Sequence, residues 1–117
     1  MKAYGFGSKG NGTFEIEDTL ENLQEYVGGY IEVIGITENI DLVCNDEGKL
    51  MGLDITAALI NDDGEVVEII AGDCFLVRNN GEGEFESIKD EDADIIKRYV
   101  KKVTGIDPVN HILIIEN

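Results

Sequence analysis

Gly5-Phe6-Gly7-Ser8-Lys9-Gly10 spells G-x-G-x-x-G, the spacing with which a glycine turn brings backbone amides to a pyrophosphate. That chemistry needs the loop to follow a strand and open a helix, whose N-terminal amides meet the anion. Here the loop runs into Asn11-Gly12-Thr13-Phe14, which reads as turn and strand, and the lysine and metal motifs of a kinase are missing downstream. The match is accidental and implies no cofactor. Asn45-Asp46-Glu47-Gly48 and Asn61-Asp62-Asp63-Gly64-Glu65 invite a calcium reading. Taking Gly64 as the invariant glycine of a calcium loop puts the first ligand on Leu59, and Gly48 puts it on Val43; neither side chain has an oxygen. Both segments read as hairpin turns. His111 is the only histidine, which leaves Ser-His-Asp and Cys-His arrangements without support, and it lies in an apolar tail. Cys44 and Cys74 lack the close pairing of a structural zinc site. Carboxylates are plentiful, but glycosidase chemistry wants two in a cleft with aromatic sugar platforms, and there is no tryptophan. No catalytic centre, metal site or cofactor is expected.

The carboxylates carry the strongest signal. Asp and Glu total 25 against 9 Lys and Arg, a formal net charge of -16 on 117 residues. Between Gly10 and Ile96 there are 23 acids and three bases (Lys49, Arg78, Lys89), while Lys97, Arg98, Lys101 and Lys102 crowd one later segment. Such a field repels nucleic acid and anionic membranes and attracts basic surfaces. Its simplest other role is solubility. Direct binding to nucleic acid or membrane is not expected. The N-terminus lacks the apolar run of a signal peptide. No apolar stretch approaches the roughly 20 residues of a membrane helix. The cysteines, in the apolar runs Leu42-Val43-Cys44 and Cys74-Phe75-Leu76, read as buried and reduced. A cytoplasmic location follows as an expectation.

The elements that would position these groups fit one domain, 1–117, since the length suits a single core and 43% of residues are hydrophobic. Thr13 to Glu17 alternates as a strand. Asp18 to Val27 reads as a helix capped by Asp18, with Glu21 in capping-box position and a stripe of Leu20, Leu23 and Val27, ended by Gly28-Gly29. Tyr30 to Ile36 reads as a central strand. Ile40 to Cys44 follows, then a turn, with extended chain resuming at Lys49 to Leu53. Ile55 to Ile60 is ambiguous between helix and strand. Val66 to Ile70, Cys74 to Arg78 and Phe85 to Ile88 read as strands. Asp90 to Thr104 reads as a second helix, with Ile95, Ile96, Tyr99, Val100 and Val103 on one face and its charges ordered to suit the dipole. Gly105 and Pro108 end it, and His111 to Ile115 forms a last strand. The fold class is α+β: a mostly antiparallel β-sheet or partly open barrel with two helices packed on it.

Leu23-Gln24-Glu25-Tyr26-Val27-Gly28-Gly29-Tyr30-Ile31-Glu32 resembles a helix-to-strand corner, Leu-Gln-x-x-Val-Gly-Gly-x-Ile-Glu, of a domain-of-unknown-function family found in phages, conjugative elements and gut Firmicutes. Further likeness lies at Cys44-Asn45-Asp46-Glu47-Gly48-Lys49-Leu50, Ile70-Ala71-Gly72 and Phe85-Glu86-Ser87-Ile88, so the resemblance runs from about Asp18 to Val103. Where relatives carry Leu-Pro-Leu-Asn-Arg, this chain has Leu53-Asp54-Ile55-Thr56-Ala57, without the Asn-Arg pair that would grip an anion. The resemblance implies a mobile-element origin and no settled activity.

Charge and resemblance together predict a non-enzymatic accessory protein, counter-defence or regulatory, whose acidic face imitates nucleic acid and occupies a basic site on a host protein. Asp62, Asp63, Glu65, Glu82, Glu84, Glu86, Asp90 and Glu91 are the expected partner-binding residues. The alternative, which rests on the resemblance, is a phage protein that sequesters a nucleotide signal; against it stand the negative charge and the missing Asn-Arg pair, which only Lys97, Arg98, Lys101 and Lys102 offset. Self-association into a homo-oligomer is compatible with either.

Overall fold

The computed structural model describes residues 1–8, 12–61, 63–92, 96, 100–102 and 111–114. Among the described residues the elements run in the order β1 (Lys2–Phe6), β2 (Gly12–Glu15), α1 (Leu20–Val27), β3 (Ile31–Gly35), β4 (Ile40–Asn45), β5 (Ile55–Ile60), β6 (Val66–Ala71), β7 (Cys74–Asn79), β8 (Phe85–Glu86), β9 (Val100–Lys102) and β10 (His111–Ile114). A second short helix begins at Asp90. The first sheet has the order β2-β1-β7-β4-β3, with β8 also on β7, and is antiparallel throughout. The second has the order β6-β5-β10-β9, in which β10 runs parallel to β5. The architecture is therefore mostly antiparallel sheet with minor helices, and the strands do not close into a barrel.

Strand periodicity explains the layering. Successive side chains point to opposite faces, so the apolar runs of β4 and β7 bury both faces of the first sheet. Leu42, Cys44, Cys74 and Leu76 face the second sheet, packing with Phe6, Ile40, Ala57, Leu59 and Ile70. Val43, Phe75 and Val77 face the other way, toward Leu23 and Val27 of α1. Phe14 and Tyr26 stack at 4.7 Å, and both meet the Phe75 ring edge-on. Truncating so central a ring as Phe75 costs about 3–5 kcal/mol.

Several local expectations change. Thr19, not Asp18, caps α1: its Oγ1 accepts from the Asn22 N–H at 3.2 Å, one residue later than the Asp18–Glu21 register. Leu20 is 60% exposed, so the buried stripe is Leu23 and Val27 alone. Gly28 ends the helix at φ 82°, a conformation that a Cβ would strain. Tyr30 to Ile36 supplies an edge strand rather than a central one, because β3 pairs only with β4. Residues 49 to 52 are turn, not resumed strand. Ile55 to Ile60 resolves as strand, with Thr56 Oγ1 donating to the Gly72 carbonyl at 2.7 Å.

The largest correction is at the second helix. Asp90–Asp92 and Ile96 are helical, but Val100–Lys102 form β9 against β10, so the helix does not reach Thr104. Pairing β10 on both edges outweighs the helical pattern of a segment already rich in β-branched residues. Lys101 and Lys102 thus lie in a strand and cannot complement a helix C-terminus. Ile96 keeps its expected role, buried between the sheets. Ile95, Lys97, Arg98, Tyr99 and Val103 fall outside the described residues.

Candidate functional site

The expected partner-binding acids sit on two hairpins and one helix start. At the β5–β6 turn, Asn61 Oδ1 accepts from the N–H groups of Asp63 and Glu65, each at 3.0 Å. At the β7–β8 turn, Asn80 Oδ1 accepts from Glu82 and Glu84 at 2.7 and 3.2 Å. One asparagine per turn thus holds the loop and leaves the carboxylates outward. Glu86 lies opposite Arg78 in the β7–β8 ladder, and Asp90 stands 4.0 Å from the Lys2 ammonium. Asp63, Glu65, Glu82, Glu84, Glu86, Asp90 and Glu91 are all exposed, while Asp62 lies outside the described residues. The two hairpins belong to different sheets, and no described hydrogen bond or ion pair joins one acidic group to the other.

Asp92 breaks this pattern. It is fully buried, its Oδ1 accepting from Arg78 at 2.7 Å and its Oδ2 from the Lys89 N–H at 2.6 Å. The second contact is the back-bond of a capping box, made from the third helical position. Among the described residues no other acid is buried. Lys49 is likewise committed, 2.6 Å from Glu68, whose carboxyl that contact holds below its usual range.

Two depressions adjoin the β3 edge. The larger, about 280 Å³, is lined by Gln24, Gly28, Gly29, Tyr30, Asn45, Glu47 and Met51. It is where the α1–β3 corner and the β4 turn meet. Asn45 Nδ2 donates to the Val27 carbonyl at 3.0 Å, Asn45 Oδ1 accepts from Glu47 N–H at 2.8 Å, and Asp46 N–H donates to the Tyr30 carbonyl at 2.9 Å. A Cβ on Gly29 would stand 3.0 Å from Asn45 Nδ2, a tight contact. Gly48 has to be small, because a Cβ there would clash with the Ala71 carbonyl, and this brings the β4 turn onto the end of β6. The smaller depression, about 100 Å³, collects Glu32, Asp46 and Glu68 with Lys49 over Cys44. Burial first, then the hydrogen-bonded Asp46 carboxyl, raises Glu32 above its usual range.

The two thiols are withdrawn from solvent. Burial pushes both thiols up to about 12, with Thr56 opposing at Cys74 and nearby carboxylates adding at Cys44. Both cysteines are free and buried. Every buried side-chain nitrogen or oxygen among the described residues has a partner, and no three described His, Cys, Asp or Glu residues are placed to hold a metal. The glycine loop joins β1 to β2, Gly5 pairing with Gly12, and is a strand-to-strand connection. Its Ser8 N–H and Oγ are already bonded to the Asp73 carboxylate. His111 stands in β10. Among the described residues no helix is long and apolar enough to cross a membrane.

Sequence reasoning overlooked Tyr30 and Met51, which line the larger depression and are 70% and 52% exposed, and Leu50 next to Met51, which is 89% exposed. The available signal was Leu50-Met51 within a turn, outside any period that would bury it. A small two-sheet α+β domain, with one sheet sandwiched between a helix and the other sheet, is the class these observations define. The chain belongs to the family described as Domain of unknown function (DUF3846), whose profile matches residues 9–104. No curated protein and no solved structure matches it.

Proposed function

We propose that this chain is a non-enzymatic binding protein of phage or mobile-element origin, working in the host cytoplasm, that offers carboxylates to a basic, nucleic-acid-binding site on a host protein. The observation that carries the reading is the contrast between its acids and its bases. Asp92 is the only buried acid among the described residues, whereas Lys2, Lys49 and Arg78 are each held by one of the protein's own carboxylates. Among the described residues the exposed charged side chains are mostly carboxylates, with Lys89 an exposed base, and the acidic groups are carried on turns that asparagine side chains hold in place. A surface of that kind speeds encounter with a cationic cleft and disfavours nucleic acid itself. Sequestration of an anionic nucleotide signal is the weaker reading, because the larger depression has Glu47 and no base in its lining.

The test is a pull-down from host lysate with the intact chain as bait, run at low and at high salt and read by mass spectrometry. Basic nucleic-acid-binding proteins should be retained at low salt and released at high salt, as screening of exposed charge requires. Retention unchanged by salt would remove the reading.

A further inference from the structure

We propose that the 280 Å³ depression at the α1–β3 corner is the docking groove for the partner, and that its occupant is a lysine- or arginine-bearing peptide segment that inserts an apolar side chain between Tyr30 and Met51. This rests on the anionic-surface reading above and names where and how contact is made.

Single exposed apolar residues are ordinary on a protein surface, but several gathered at one depression mark an interaction site. Tyr30 and Met51 line this one, and Leu50 beside Met51 is almost wholly exposed. Gly28 and Gly29 line it without side chains, and Asn45 is held in place with both ends of its amide spent, on Val27 and Glu47. Methionine adapts its shape to an incoming side chain at little cost. The volume suits one anchor side chain rather than a cofactor. Charge selects the rest of the occupant. Glu47 lines the groove, no base is among the lining residues, and the neighbouring Lys49 is tied to Glu68. A second copy of the chain would bring another net charge of -16 to the contact, so a cationic segment from a different protein is favoured.

The experiment uses the full chain and two labelled peptides with the same number of lysines, one interrupted by leucine and tyrosine and one of lysine and glycine only. Fluorescence anisotropy should show the leucine–tyrosine peptide binding about tenfold more tightly, as burial of one large apolar side chain implies. Tyr30→Ser with Leu50→Ser should remove that advantage and leave the lysine–glycine peptide unaffected. Amide chemical shifts on the unmutated chain, moving at Gly28, Gly29 and Met51, give the same answer without a variant. Equal binding of the two peptides, or shifts elsewhere only, overturns the groove while leaving the anionic-surface reading intact. If neither peptide binds at low salt, both readings fall.

Discussion

Replacing Arg78 with methionine keeps an unbranched apolar stem, shortens the side chain and removes its charge from the one buried carboxylate among the described residues. Asp92 is 0% exposed and Arg78 17%, so water reaches the guanidinium but not its partner. After the change, Asp92 Oδ1 has lost its 2.7 Å donor and, among the described residues, the Lys89 N–H on Oδ2 is its remaining donor. Breaking a buried pair from one side costs about 3–5 kcal/mol, and we take about 3 kcal/mol because one acceptor stays satisfied and Arg78 is partly hydrated. For a domain of this size that corresponds to a fall in Tm of roughly 10–15 °C. Far-ultraviolet circular dichroism during urea unfolding is the suitable assay, since the chain has no tryptophan. The double change Arg78→Met with Asp92→Leu should be less damaging than Arg78→Met alone, because no charge is then left stranded. A single variant within about 0.5 kcal/mol of the parent, the range of ordinary surface substitutions, would refute the argument.

Thr19→Ala removes the acceptor for the Asn22 N–H and should cost about 1 kcal/mol in urea stability, while Asp18→Ala should cost far less. Gly48→Ala drives a methyl group into the Ala71 carbonyl and should destabilise by about 1–3 kcal/mol; a neutral result would mean that the β4 turn does not rest on β6. Alkaline pH should weaken the fold. Cys44 and Cys74 are raised from 9.0 and Tyr26 from 10.0, each to about 12 and chiefly by burial, so their neutral forms favour the folded chain. That contribution is complete below about pH 9 and is lost as pH climbs toward about 12, so the urea midpoint should fall across this window, and a flat profile would contradict the burial. For the same reason both thiols should resist a thiol reagent near neutral pH until urea unfolds the chain.

Turns and buried strands were legible because their signals are local. Asn61, Gly64 and Gly28 adopt the turn and helix end that their residue types demand, and the apolar runs at Cys44 and Cys74 are the two central strands. The helix cap slipped by one residue because Asp18 and Thr19 are both competent caps, and only the path of the chain from β2 decides between them. The edge position of β3 was not legible. Its composition suits a buried strand, yet order in a sheet depends on which distant strand arrives to pair, and here β7 takes the inner side of β4. The second helix misled for the same reason, since β10 arrives to pair with Val100–Lys102.

The sequence alone determined that this protein is acidic, that its thiols are buried and that its turns fall where glycine and asparagine stand, because charge, hydropathy and φ preference belong to single residues. Only tertiary structure decided that Asp92 is buried rather than part of the acidic surface, and that Gly29, Tyr30, Asn45 and Met51 share one depression. These depend on partners far apart along the chain. Whether a carboxylate meets water or a guanidinium is a property of the fold and not of the residue.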